Sequence, residues 1–185
     1  MIATFVERQI VASEKHLGES ADWLRDLFAA SRTGFFKFLL FMPLSGHRAA
    51  APKELAHIAR IAAAASEDCG PCLNINIRFA LAEGIDRSVV RAAALGRIAE
   101  LSDDGALVWH YATAVASVDA EASDLAAEVE QRFGRKVLVD FALAIATTRV
   151  FPTMKRALGY ARSCSLTPLA LVEDNPTVDK DRHAA

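Results

Sequence analysis

Ile58-Ala59-Arg60-Ile61-Ala62-Ala63-Ala64-Ala65, followed after one serine by Glu67-Asp68-Cys69-Gly70-Pro71-Cys72, is the stretch whose reading decides the fold. Its first half is alanine-rich and lacks the alternating β-branched pattern of a strand, so it reads as helix. Pro71 is pre-set for the first turn of a second helix, and Leu73, Ile77, Ala80 and Leu81 then recur at i, i+4, i+7 and i+8. Two of the three cysteines therefore stand at a helix N-terminus, where one helix gives way to another. Unpaired N–H groups and the positive end of the helix dipole favour a thiolate there. Thiols so placed fall from about 8.5 to roughly 3.5–7.5 in pKa, which makes thiol redox chemistry the first functional expectation.

The same 3.6-residue period runs outward in both directions and predicts an all-α bundle. Helices are expected near 4–17, 20–31 with Ser20 as a cap, 33–42, 52–66, 71–83, 86–95, 103–118, 121–133, 135–150 and 152–162, with Pro43, Gly84, Gly134 and Pro152 among the stops. A chain of 185 residues without an internal linker is read as a single domain. Within it, residues 1–49 are an N-terminal helical extension packed on the core, 50–165 the helical domain holding the dithiol, and 172–185 a mobile polar tail.

A formal charge of −2 with scattered basic residues excludes the electrostatic footprint of nucleic-acid binding. The apolar stretch from Phe35 to Leu44 is far short of the roughly 20 residues a membrane span needs, so no membrane partner is expected. Residues 1–10 carry Glu7 and Arg8 and lack the layout of a secretory signal. A reducing cytoplasm is the resulting expectation, and there a close cysteine pair is catalytic or metal-binding more often than structural. Zinc needs four ligands, and only His47, His57, His110 and the distant Cys164 stand available to complete the set without a second close pair, so no metal and no organic cofactor are expected. The 52% hydrophobic fraction exceeds what a soluble monomer needs and points to faces buried between subunits.

Cys-Gly-Pro-Cys is also the active-site tetrapeptide of thioredoxins, but there it follows a buried strand, whereas here it follows a helix. The wider pattern resembles the alkylhydroperoxidase AhpD and carboxymuconolactone decarboxylase family. The residues that carry the resemblance lie between about 50 and 162: the alanine-rich helix leading into Cys69-Gly70-Pro71-Cys72, Ala82-Glu83-Gly84-Ile85, Leu101-Ser102-Asp103-Asp104, Phe133-Gly134 and Arg156-Ala157-Leu158-Gly159. The resemblance implies an all-helical fold and homo-oligomers, commonly trimers or multiples of them. It implies too that both cysteines reduce a peroxide or disulfide, with Cys72 attacking, Cys69 resolving and a separate thiol reductant regenerating the pair. The family's relay places a glutamate twelve residues before the first cysteine and a histidine four after the second; His57 and Asn76 stand at those positions here, so the standard relay does not carry over.

A replacement relay follows from the residues. Cys72, Asn76, Phe79 and Glu83 share a helix face, so Asn76 lies near the thiol and orients a water or substrate, though its amide accepts no proton. His57, with a reference pKa near 6.5, takes the proton instead, and Glu54 at i−3 holds its ring. Against this, a single histidine serves equally as a residue satisfied by a backbone carbonyl, and the pair as two small buried side chains. Glu67 and Asp68 read as solvated caps whose charge opposes thiolate formation at Cys69. Position in the helix favours Cys69 as the more acidic thiol, while the resemblance favours Cys72 as attacker. Trp109-His110-Tyr111 and the Phe35, Phe36, Phe38, Phe41 cluster read as core or subunit contacts, and Arg149 as a cation that snorkels or pairs with a carboxylate. The competing functional readings are a non-redox carboxymuconolactone decarboxylase-like enzyme and a non-catalytic oligomeric binding module.

Overall fold

The helical period resolves into nine α-helices across the described residues, 2–160 of a computed structural model: α1 (Ile2–Leu17), α2 (Asp22–Ala30), α3 (Arg32–Ser45), α4 (Lys53–Ser66), α5 (Gly70–Ala82), α6 (Arg87–Leu95), α7 (Asp103–Ser117), α8 (Ala122–Phe133) and α9 (Arg135–Ala157). A short 3-10 turn at Ile98–Glu100 joins α6 to α7, and no strand occurs among these residues. The fold is all-α. Cys164 and the tail expected over 172–185 lie outside the described residues.

Two expected stops are not stops. Helix α3 runs through Pro43 and α9 runs through Pro152, so in place of the helices expected over 135–150 and 152–162 there is one, which ends at Ala157. An internal proline costs a helix about 3 kcal/mol through a lost hydrogen bond and a ring clash. Pro152 is itself fully buried, and Phe151 beside it packs on Phe38 and Phe41 with ring centroids 5.8 and 5.9 Å away. Tertiary burial of this size offsets the local penalty. The N-cap of α2 is Ala21 rather than the expected Ser20, whose Oγ accepts the Asp22 N–H at 3.3 Å from one residue further out.

Helix α4 is the centre of the molecule. Leu55 to Ile61 is buried but for the half-buried Arg60, and α5, α6, α7 and α9 all pack against α4. Its alanines let neighbours approach closely. At the crossing with α7 a Cβ on Gly105 would meet Ile58 Cδ1 at 3.1 Å, so only glycine leaves that spacing undisturbed. Tyr111 is buried in the same core, and Trp109 packs against its edge, donating its indole N–H to Ala93 O at 2.9 Å. Helix α9 is long and apolar enough by composition to cross a membrane, but half of its most apolar window is buried in the bundle.

Helices α1 to α3 form a second, smaller core from Val6, Ile10, Ala21 and Phe35. Arg25 binds α1 to α2 with a two-pronged hydrogen bond to Glu14 at 2.6 and 2.7 Å, and with the Ala21 N–H it holds the Glu14 carboxyl down to about 2. This unit is fastened to the main core where the chain enters α4. Asp140 of α9, 4% exposed, accepts the N–H groups of Ala49, Ala50 and Ala51 at 2.9, 2.6 and 2.8 Å.

Candidate active site

The junction between α4 and α5 is a sharp reversal made in three residues. Glu67 ends α4, Asp68 takes the left-handed conformation with φ 48°, and Cys69 is extended and serves as the N-cap of α5. Asp tolerates the left-handed region better than most residues because its short polar side chain bonds locally. Leu73 N–H bonds Cys69 O at 3.0 Å, closing the first turn with Cys72 inside it. Both cysteines are buried, at 5% and 4% exposure, and their Sγ atoms lie 2.8 Å apart. A disulfide needs about 2.05 Å, so closing the bond takes under about 1 Å of sulfur movement.

Cys72 differs from Cys69 in what it faces. It lines a cavity of about 480 Å³, as do Asn76, Phe79 and Glu83, the face expected from their spacing on α5. Cys69 is not part of that lining. Asn76 donates its side-chain N–H to the backbone carbonyl of Cys72 at 2.8 Å, which ties the amide to the first turn of α5. His57 enters the cavity from α4 and is 3% exposed.

The partner of His57 differs from the expectation. Among the described residues, the carboxylate within ion-pair distance of His57 is that of Glu83, whose Oε2 lies 3.2 Å from Nε2; Glu54, on the first turn of α4, is not in the cavity lining. The contact lies off the line a hydrogen bond requires, and both ring nitrogens are buried without a hydrogen bond. Burial pushes the imidazole below its usual 6.5; Glu83 acts in the opposite direction but does not outweigh it. Burial raises the Glu83 carboxyl, and the nearby His57, Arg48 and Arg60 more than reverse this. A neutral imidazole beside an ionised carboxylate is arranged to accept a proton.

Glu67 corrects the reading of it as a solvated cap. Its carboxylate is buried and paired with two cations of α9: Arg149 Nε donates to Oε1 at 2.5 Å, and Arg156 donates to Oε2 and, at 2.8 Å, to the Glu67 carbonyl. Burial opposes ionisation, but the two guanidinium groups hold the carboxyl below its usual range. Its charge is thus taken up by α9 rather than set against the sulfurs. Arg156 is raised first by Glu67 and further by the fields of Cys69 and Cys72, so the same guanidinium favours negative charge on the dithiol. Asp68 remains exposed, as expected.

The rest of the cavity carries two kinds of surface that the sequence reading did not assign. Arg60 of α4, Arg48 of the preceding loop and Lys155 of α9 add cations, while Leu17, Trp23, Leu24, Met42 and Phe151 form an apolar wall. Much of that wall belongs to residues 1–49, outside the stretch that holds the dithiol. No family model, curated protein or solved structure matches this chain.

Proposed function

We propose that the protein is a thiol-dependent peroxidase in which Cys72 is the attacking sulfur and Cys69 the resolving one. The observation that carries this reading is the asymmetry of the pair: the sulfurs are 2.8 Å apart, yet only Cys72 opens on a cavity that also holds His57 and Glu83. His57 takes the Cys72 proton, and the imidazolium so formed is stabilised by Glu83. The thiolate attacks one oxygen of a hydroperoxide; an S–O bond forms, the O–O bond breaks, and the departing alkoxide takes the proton from His57 to leave as an alcohol. Cys69 then attacks the sulfenic acid, the S–S bond forms, and hydroxide leaves with the Cys69 proton as water. Both electrons come from the two thiols, and an external dithiol reductant of the cytoplasm restores them.

Homo-oligomerisation belongs to the same reading, supported by the exposed Phe36, Leu39, Leu40 and Leu44 along α3. The test is a thiol count on the reduced chain after one equivalent of an organic hydroperoxide. Two thiols per chain are expected to disappear, with one equivalent of alcohol formed and Cys69 linked to Cys72. An unchanged thiol count, or alcohol formed without that link, contradicts the proposal.

A further inference from the structure

We infer that the cavity beside Cys72 takes an organic hydroperoxide with an apolar body and an acidic head, the carboxylate being held by Lys155 with Arg60 and Arg48. The inference rests on the peroxidase reading and names its substrate class.

The cavity is too large for a small oxidant. A cavity of about 480 Å³ falls in the range that encloses small organic ligands, roughly 300–1,000 Å³. Hydrogen peroxide has two heavy atoms, and a water molecule's share of liquid volume is only about 30 Å³, so a peroxide that small leaves most of the space empty. The wall of Leu17, Trp23, Leu24, Met42 and Phe151 suits a hydrocarbon body and offers nothing to a small polar oxidant.

The cavity lining is also cationic. The lining cations are Arg48, Arg60 and Lys155, and the lining carboxylates are Glu19 and Glu83. Glu83 stands against His57 with Arg48 and Arg60 in its field, and Glu19 accepts the Asn74 amide at 2.8 Å, which leaves Lys155 as the lining cation without a carboxylate partner among the described residues. Lys155 is 9% exposed, and no carboxylate of the described residues lies within ion-pair distance of it. Its neighbours on α9, Arg149 and Arg156, are both paired with Glu67. Arg60 Nε is buried with no acceptor, although Arg60 Nη2 donates to His47 O at 3.2 Å. Lys155 has no counter-ion among the described residues and Arg60 Nε is a buried donor with no acceptor, and both residues line the cavity, so a ligand carboxylate there has cationic partners that the chain itself leaves unmatched. The hydrocarbon wall and the cations border the same space as Cys72, so a substrate anchored at its acid end carries its peroxide within the thiol's chamber.

Calorimetric titration of the reduced full chain with decanoate and with decanol tests this. Decanoate is expected to bind at least about tenfold more tightly, the ratio is expected to collapse in Lys155→Met, and Lys155→Arg is expected to restore it. Decanoate is also expected to protect Cys72 of the unaltered chain from alkylation, a reading that does not depend on the variants folding. Equal affinity for acid and alcohol, an unchanged ratio in a folded Lys155→Met chain, or no protection of Cys72 overturns the inference while leaving peroxidase chemistry intact. An acid preference in a chain whose Cys72 resists every hydroperoxide instead overturns the peroxidase reading, and the substrate assignment with it.

Discussion

Replacing Cys72 with serine is expected to reduce hydroperoxide turnover to background, a loss of about three orders of magnitude or more, which is the scale of removing a nucleophile. Replacing Cys69 is expected to have a different signature. The Cys69→Ser chain still performs the first chemical step, because Cys72 alone faces the cavity, and then stops with a sulfenic acid it has no partner to resolve. Steady-state peroxide consumption falls in both variants, but only Cys69→Ser releases one equivalent of alcohol in the first turnover. Equal first-turnover bursts from both, or a burst confined to Cys72→Ser, would reverse the assignment of the two sulfurs. The reversal would favour Cys69, whose position at the N-cap places it nearest the start of the helix.

The largest effect on stability is expected at Asp140. Its buried carboxylate accepts three consecutive backbone N–H groups at 2.6 to 2.9 Å and so holds the loop before α4 against α9. Asp140→Ala leaves the N–H of the buried Ala51 unpaired and hands those of the exposed Ala49 and Ala50 to water, at a cost of about 2–3 kcal/mol, up to about two orders of magnitude in the folding equilibrium. Urea unfolding should show it as a lower midpoint with little change in slope. The pH dependence has a definite sign. Burial pushes the Asp140 carboxyl up, but the three N–H groups outweigh it and hold the pKa below the ordinary 3.8. A depressed folded value means that the stabilisation is present above about 3.8 and is lost as the pH falls through the folded value. Asp140→Asn should therefore be less stable than the native chain at neutral pH and lose less of its stability in acid. A cost below about 1 kcal/mol for Asp140→Ala would show that the loop is held by other contacts. Because Arg48 adjoins the clamped residues and lines the cavity, the same variant should also weaken the binding of an acidic ligand.

What was legible in the sequence is what obeys helical spacing. Cys72, Asn76, Phe79 and Glu83 share a face because they lie on one helix, and all four border the cavity. The alanine period of α4 and the proline after Cys69-Gly70 likewise gave the junction that holds the dithiol. Local spacing does not reach across helices, and there the reading broke down. Glu54 is the carboxylate nearest His57 on the same helix face, but the one that meets the ring is Glu83 from α5. Glu67 read as a cap because its partners, Arg149 and Arg156, are 82 and 89 positions away. Lys155 and Arg60 carried no local signal, since an isolated cation in an amphipathic helix reads as solvated surface. Pro152 misled because helix propensity is a weak prior beside the burial of a whole helix. The apolar wall from residues 1–49 lay outside every motif and became visible only where α1 to α3 fold back over Cys72.

Central to the proposed chemistry is ionisation of Cys72 into the cavity with His57 as its base. It is tested most directly by the rate at which the Cys69→Ser chain forms sulfenic acid on Cys72, measured from acid to alkaline pH with and without His57→Gln. Rapid stoichiometric adduct formation is expected at neutral pH. The rate should fall as the pH drops through a histidine value below 6.5, and in His57→Gln it should be about a hundredfold or more slower and lack that inflection. A Cys72 that stays unmodified, or a profile that His57→Gln leaves unchanged, would contradict it.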